Sequence, residues 1–269
     1  MDVPYAEVIG DPIAHSKSPL IHKFWLEKLG IEGDYRAVRV KRDELGPYFA
    51  QRRRDPLWRG CNITMPHKVA AMALVDDLAP AVRRIGALNT VAVYYDALRG
   101  LNTDWYGINL ALPLDAAKDR DVVLIGAGGA ARAAMEELRQ AGPRSLAILN
   151  RDRDKAARLA ADFRMTAVVD DLNALPPAAD LLINASALGM CGFPSLRLDL
   201  NRMRADAVVM DMVYDPVETP LLEAARARGL TTVDGLSMLI WQAAMAFRFF
   251  FKAGVEEPDS PELRALLTR

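Results

Sequence analysis

The segment Asp121-Val-Val-Leu-Ile-Gly126-Ala127-Gly128-Gly129-Ala130-Ala131 runs from an apolar strand into a glycine-rich turn, then into a helix that reaches about Ala141. Its spacing is G-x-G-x-x-A. Glycine at the first position permits a tight turn, glycine at the second lets backbone approach a pyrophosphate, and a small third residue lets the helix pack closely. The helix start then offers amide donors and the positive end of its dipole to the anion. A βα turn without a ligand could use the same glycines; the strand before them and the helix after them favour dinucleotide binding.

The next strand, Ser145 to Leu149, ends in Asn150-Arg151, where dinucleotide folds place an acid for the ribose 2′-hydroxyl about twenty residues beyond the turn. Here a cation stands instead. Arg151, with Lys155 a helical turn on, suits a 2′-phosphate, whereas Asp152 and Asp154 oppose one. The balance favours NADP and leaves NAD open. A plainer reading makes these charges a solvated helix start, with Asp152 complementing the dipole.

Other chemistries find little support. His15, His22 and His67 have no i,i+4 pairing with one another and no attendant cysteine cluster, so no metal site is expected. Cys61 and Cys191, the two cysteines, cannot build a disulfide framework and suit a reducing compartment. Lys plus Arg number 34 against 35 Asp plus Glu, a net charge of −1 that gives no bulk attraction to nucleic acid and points to a small ligand. Arg52-Arg53-Arg54 reads as the solvated last turn of a helix. Residues 1–10 lack the basic-then-apolar pattern of an export signal, so a cytoplasmic protein is expected. The most apolar stretch, Leu236 to Phe251, contains Ser237, Gln242 and Arg248 and falls short of the ~20 residues of a membrane span; it reads as a buried helix.

With 269 residues the chain is about 1.8 times the ~150 residues of a common domain, which predicts two domains or one large α/β domain. Valine- and isoleucine-rich runs alternate with amphipathic segments, which predicts an α/β fold with parallel sheet. Strands are expected over Tyr5–Ile9, Tyr35–Val40, Gly60–Thr64, Thr90–Tyr95, Asp121–Ile125, Ser145–Leu149, Thr166–Val169, Asp180–Asn184, Ala207–Asp211 and Thr231–Asp234. One helix starts at Ser18-Pro19, carries Leu20, Phe24 and Leu29 on one face and stops at Gly30. Others start near Pro66, with Val69, Met72 and Val75, and near Asp104, with Trp105, Ile108 and Leu112. A boundary at about residue 104 to 120 is expected, giving an N-terminal α/β substrate domain over 1–104 and a Rossmann dinucleotide-binding domain over 105–235. The C-terminal helical segment, 236–269, is expected to return to the first domain.

Several further motifs occur in a fixed order. Ser16-Lys17-Ser18-Pro19, Asn62-Ile63-Thr64-Met65-Pro66-His67-Lys68, Asn89-Thr90 and Asn102-Thr103-Asp104 precede the glycine turn. Asn184-Ala185-Ser186, Asp211-Met212-Val213-Tyr214-Asp215-Pro216 and Asp234-Gly235-Leu236-Ser237-Met238-Leu239-Ile240-Trp241-Gln242 follow it. In this combination the chain resembles the shikimate dehydrogenase family nearly end to end. The resemblance implies NADP-linked, reversible reduction of the 3-keto group of 3-dehydroshikimate to shikimate, in chorismate and aromatic amino acid biosynthesis. It implies no metal, and a monomer or homodimer. It also implies that Lys68 and Asp104 form the catalytic pair, that Ser16 and Ser18 contact the substrate carboxylate, that Thr64, Asn89 and Gln242 bind the rest of the substrate, and that Tyr214 lines the site. For the cofactor it implies Gly126, Ala127, Gly128, Gly129, Ala130, Asn150, Arg151, Lys155, Met212 and Gly235.

The chemistry suits these residue types. Hydride delivery to a ketone builds negative charge on oxygen, which a proton or a cation must meet, and a lysine supplies both. In the first turn of the helix expected after Pro66, Lys68 would feel a dipole that disfavours its charge, with Asp104 as counterweight. Taken singly, each residue has a plainer reading. Lys68 could be a surface lysine, and Asp104 the N-cap of the helix through Leu112. Ser18 could equally be an N-cap, Asn89 and Asn102 turn formers, and Gln242 a polar residue on a partly exposed helix face.

Two positions depart from the family pattern: Ser237 stands where glycine is usual, and Asp152 where threonine or serine is usual. Two other functions stay open, a quinate/shikimate dehydrogenase using NAD and a dinucleotide-binding regulator without catalysis. The Ser-Lys-Ser form leans away from the first, and retention of both Lys68 and Asp104 leans away from the second.

Overall fold

Two β-sheets organise the chain, each in its own contact unit: Met1–Gly107 with Ile240–Arg269, and Ile108–Leu239. The computed structural model describes residues 3–113, 115–170 and 179–268. The first sheet contains β1 (Tyr5–Gly10), β2 (Asp34–Arg39), β3 (Trp58–Ile63), β4 (Asp77–Leu78), β5 (Thr90–Tyr94) and β6 (Ala97–Leu101), in the order β2-β1-β3-β5-β6-β4. β1 pairs in parallel with both β2 and β3, while β5 runs antiparallel to β3 and β6. Every residue of β1 is buried, as expected of a strand covered on both faces. One face packs Ile9, Phe49, Trp58, Ile63 and Val91. The other packs Ala6, Val8 and Tyr35 against Ala246 and Phe250 of α8 (Gly235–Phe251).

Tertiary pairing corrects several expectations. α1 (Ser18–Lys28) is capped by Leu29, and Gly30 follows just past its end, where a φ of +63° suits the left-handed position. It buries Ile21, His22, Trp25 and Leu26, however, leaving Leu20 and Leu29 exposed, so the inward stripe is the one with the larger indole. Ser18 is the first helical residue, and the cap position belongs to Lys17. β4 and β6 were not expected; β6 turns back from β5 through Tyr95 and Asp96, both at positive φ (+46° and +62°), a two-residue turn built without glycine. At the end of α2 (Leu45–Arg52), Arg52 is not solvated. Its Nε and Nη2 donate to both oxygens of buried Glu7 on β1 (2.7 and 2.8 Å), and Tyr48 donates to the same carboxylate (2.7 Å).

The second sheet contains β7 (Asp121–Ile125), β8 (Ser145–Leu149), β9 (Val168–Asp170), β10 (Ala179–Asn184), β11 (Met203–Asp211) and β12 (Thr231–Val233). Its order is β12-β11-β10-β7-β8-β9 and all pairings are parallel. Counted from β7 this is 3-2-1-4-5-6, the Rossmann order, whose direction of winding reverses between β7 and β10. α5 (Gly129–Ala141) and α6 (Arg153–Asp162) follow β7 and β8, and α7 (Pro220–Ala227) precedes β12, as α3 (Pro80–Ile85) precedes β5 in the first unit. Among the described residues no helix is long and apolar enough to cross a membrane.

Candidate functional site

Strand direction gathers the first group of residues. Parallel pairing puts the carboxyl ends of β1 and β3 at one edge of the first sheet. Because β5 is antiparallel, its first residue Thr90 lies opposite both Asn62 and Leu101, so the end of β6 reaches the same edge. The segments holding Ser16 to Ser18, Thr64 to Lys68, Asn89, and Asn102 to Asp104 all open there.

Lys68 Nζ lies 2.5 Å from Asp104 Oδ2, with the two side chains only 16% and 7% exposed. Withdrawal from water strengthens such a pair and makes its satisfaction obligatory. Asn89 Nδ2 donates to the other carboxylate oxygen, Asp104 Oδ1 (2.8 Å), and to Thr103 Oγ1 (2.9 Å). Gln242, on α8, places Oε1 3.3 Å from Asn89 Nδ2 and 3.2 Å from Thr103 Oγ1. It is 5% exposed, so it is no surface residue. Asn62, Thr90 and Thr103, not singled out as site residues from sequence, complete the cluster. Asn62 Nδ2 donates to Thr90 Oγ1 (2.9 Å), and Thr103 N donates to Asn89 Oδ1 (2.6 Å). The signal available for them was polar residues within motifs that flank buried strands.

Two local expectations about this cluster fail. No α-helix starts near Pro66; a turn is followed by a five-residue 3₁₀ segment, Ala70–Leu74. The carbonyl of Lys68 accepts from Leu88 N (2.8 Å), just ahead of β5, so it is not spent on a helical i+4 amide. The helix-dipole argument for Lys68 therefore falls, and its electrostatic partner is Asp104. Nor does Asp104 cap α4 (Asp104–Ala111): Asn102 Oδ1 accepts from Trp105 N (3.1 Å), freeing the Asp104 carboxylate for Lys68 and Asn89.

Ser16 and Ser18 are joined to each other, with Ser18 N donating to Ser16 Oγ (3.3 Å). Thr64 begins the turn after β3, its carbonyl accepting from His67 N (3.0 Å). Gly10 makes room for it, since a Cβ there would lie 2.4 Å from Thr64 Cγ2.

In the second unit Gly126 takes φ +102°, and a Cβ would press within 3.0 Å of the Ala185 carbonyl oxygen. Gly128 caps α5 without a side-chain hydrogen bond, and a Cβ there would meet open space. Backbone can thus approach an anion at the helix start, a fit for a pyrophosphate beside Gly126, Ala127, Gly128, Gly129 and Ala130. A cavity of about 350 Å³ opens at the reversal point, lined among others by Gly126, Asn150, Arg151, Ser186, Leu188 and Phe193. Asp152 Oδ1 accepts from Lys155 N (2.9 Å), so Asp152 caps α6, and Asn150 Nδ2 donates to the Asp152 carbonyl (2.7 Å). Arg151 and Lys155 are exposed.

Along the same edge, two strands from the glycine turn, the loop after β11 is pinned by Asp211, fully buried at the end of that strand. It accepts from Asn184 Nδ2 (2.8 Å), Val213 N (3.0 Å) and Thr219 Oγ1 (2.7 Å), and burial raises its pKa above the ordinary carboxylate value. Met212 N donates to the Asn184 carbonyl (2.9 Å). Burial also raises the phenol of Tyr214. Gly235 starts α8 so close to this loop that a Cβ would lie 2.4 Å from the Val213 oxygen. Ser237 donates its amide (2.8 Å) and its hydroxyl (3.1 Å) to Asp234 Oδ1, so the hydroxyl serves the helix start. Among the described residues, no group of three or more His, Cys, Asp or Glu could hold a metal ion.

Two family models match the chain: the shikimate dehydrogenase substrate binding domain over residues 8–91, and shikimate / quinate 5-dehydrogenase over residues 111–191. The NADP(+) shikimate dehydrogenase of Sphingopyxis alaskensis is 54% identical over 265 residues, covering 98% of this chain and 97% of the relative. Its counterpart in Methylobacterium radiotolerans is 45% identical, covering 97% and 95%. Among solved structures, shikimate 5-dehydrogenase from Thermus thermophilus in complex with NADP(H) and shikimate has a TM-score of 0.86 at 36% identity, covering 99% of each chain.

Proposed function

The chain belongs to the shikimate dehydrogenase family, and from that premise we propose that it catalyses the reversible, NADPH-dependent reduction of 3-dehydroshikimate to shikimate, on the way to chorismate and the aromatic amino acids. It is an NADP-dependent oxidoreductase acting on a CH–OH group. Residues 1–104 with the returning segment 236–269 hold the substrate, and residues 105–235 hold the dinucleotide. The protein works in the cytoplasm as a monomer or homodimer.

The observation that carries this reading is the largely buried Lys68–Asp104 pair braced by Asn89. When bound, the reduced nicotinamide supplies hydride to the ketone carbon. Negative charge grows on the ketone oxygen, and Lys68 Nζ meets it with a positive charge and then a proton, so that C=O becomes H–C–OH. Asp104 aims the ammonium, and in the reverse direction the Lys68 amine takes the hydroxyl proton. Ser16 and Ser18 hold the substrate carboxylate; Thr64, Asn89 and Gln242 hold its remaining polar groups, and Tyr214 lines its surroundings. Arg151 and Lys155 meet the 2′-phosphate, the glycine turn meets the pyrophosphate, and Met212 and Gly235 flank the nicotinamide end. A regulator that only bound a dinucleotide would have no use for a buried lysine–carboxylate pair apart from the glycine turn.

The test is an initial-rate matrix of shikimate and quinate against NADP and NAD, repeated with Lys68→Ala. Shikimate with NADP gives the highest turnover, and Lys68→Ala loses about 10²–10⁴-fold in kcat, because it removes an interaction made mainly in the transition state. Shikimate affinity by calorimetry changes less than about tenfold. Turnover near wild type in the variant would overturn the assignment.

A further inference from the structure

Lys17 stands between the two serines assigned to the substrate carboxylate, yet its side chain turns to the far end of the chain. Its Nζ donates to the carbonyl oxygen of Leu267 (2.6 Å), 250 residues away. Leu267 closes α9 (Pro261–Leu267), and its carbonyl is one of those in the last turn that a helix leaves without an amide. That end carries the negative pole of the helix dipole, so an ammonium is the donor best suited to it.

α9 is itself firmly held. Ser260 caps it by accepting from Leu263 N (3.3 Å), Pro261 opens it, and Arg264 grips Asp259 through two hydrogen bonds (2.6 and 2.7 Å). Leu263 is fully buried, and Lys28 of α1 reaches Glu262 (3.1 Å). On the other side of the contact, the Lys17 carbonyl accepts from Ile21 N (3.2 Å) and its backbone forms the cap of α1. Ser16 N donates to the Ile13 carbonyl (3.0 Å), and Ser18 N donates to Ser16 Oγ. The Lys17 tether thus fixes the residue between the two hydroxyls against an anchored helix.

We propose that Lys17 is a positioning residue for substrate binding: through the Leu267 carbonyl it fastens the Ser16–Ser18 segment to α9, so that the C-terminal helix sets the geometry in which the two hydroxyls meet the substrate carboxylate. The proposal rests on the reading of Ser16 and Ser18 as carboxylate contacts. The tether lies in the ground-state architecture, so its loss weakens substrate binding and leaves the chemical step alone.

Steady-state kinetics of the full-length protein test it with Lys17→Met, Lys17→Arg, Leu263→Ala, the Lys17→Met/Leu263→Ala double variant and Ser16→Ala, each with its melting temperature. Lys17→Met raises KM for shikimate about fivefold or more, with kcat and KM for NADP within about twofold. Lys17→Arg, which can still donate to the carbonyl, restores KM. Leu263→Ala loosens α9 and raises KM in the same direction, and the double variant shows less than the product of the two single effects, because both act on one contact. An unchanged KM in Lys17→Met, with a raised KM in Ser16→Ala, would overturn the tether alone. Failure of Lys17→Arg to rescue, together with no effect of Leu263→Ala, would also overturn it, since the ammonium would then act on the substrate directly. An unchanged KM in Ser16→Ala would overturn the carboxylate reading on which it rests.

Discussion

His22 sets up an acid-sensitive stability that a single substitution removes. The residue is fully buried on α1, its ring stacked on Tyr35 at 3.9 Å and 2° and edge-on to Trp25 at 5.8 Å. Neither ring nitrogen has a hydrogen-bond partner among the described residues. Burial alone lowers its pKa from 6.5 to about 3. The native state therefore keeps the ring neutral, while an unfolded chain protonates it near pH 6.5. Above that pH both states are neutral and the residue adds no pH dependence. Between about pH 6.5 and 3 the unfolded state binds one more proton than the native state, so stability falls as pH falls, by about 1.4 kcal/mol per pH unit. From about pH 7 to about pH 4 the loss amounts to about 3 kcal/mol, and below about pH 3 it levels off.

His22→Phe keeps an aromatic ring in the stack and cannot take up the proton. Urea unfolding of both proteins at intervals between about pH 7 and pH 4 gives the comparison, in which the carboxylates common to both proteins cancel. The stability difference, Phe minus His, grows in favour of the variant by about 3 kcal/mol across that range. Its value at neutral pH reflects how the larger ring packs; the slope isolates the proton. Parallel stability curves would refute the reasoning, because they would mean that native His22 is protonated as readily as the unfolded residue.

Asp152→Thr keeps a cap on α6 while removing a carboxylate next to Arg151, so the preference for NADP over NAD, as a ratio of kcat/KM values, rises about fivefold, the equivalent of about 1 kcal/mol for an exposed charge. Arg151→Ala lowers or reverses that preference, and an unaltered ratio in both variants would show that this strand tip does not read the 2′ position. Gly235→Ala forces a Cβ to within 2.4 Å of the Val213 oxygen, so the loop must move; melting temperature falls and KM for NADP rises, whereas a wild-type melt would mean the contact yields freely.

The parts of the molecule legible in sequence are those whose physics is local. The turn from Gly126 to Ala130 announces itself because φ +102° at Gly126, pressed against the Ala185 backbone, calls for glycine, and the G-x-G-x-x-A spacing follows from it along the chain. Gly30 marks the end of α1 for the same reason. Lys68, Asn89, Asp104 and Gln242 stand out through the order of their motifs, and the structure joins them in one hydrogen-bonded cluster. What sequence concealed depends on partners far along the chain. The segment after Pro66 has helical spacing, but Leu88 takes the Lys68 carbonyl. Arg52 belongs to Glu7, 45 residues earlier, so its helix-end position misleads about its solvation. The turn at Tyr95 and Asp96 lacks the glycine that signals a hairpin, and β6 passes unnoticed with it.

The polar floor beneath Lys68 is directional, and this explains its composition. Burial raises the Tyr35 phenol well above its ordinary pKa, so the hydroxyl keeps its proton and donates to Asn62 Oδ1 (2.6 Å). That bond fixes which end of the Asn62 amide is oxygen and turns Nδ2 toward Thr90 Oγ1. Having accepted there, the Thr90 hydroxyl donates onward to Asn89 Oδ1 (3.1 Å), and the Thr103 amide donates to the same oxygen. Asn89 is thereby left with its Nδ2 facing Asp104 Oδ1, and Asp104 keeps Oδ2 for the lysine. An aspartate at position 89 could not serve, since it would set one carboxylate against another in a buried site. A leucine would strand the Thr103 amide and one carboxylate oxygen, at about 1–3 kcal/mol for each buried polar group left unpaired. Each residue in the relay is therefore chosen by the hydrogen it must give to the next, and the charged pair at the top inherits an orientation set four side chains below it.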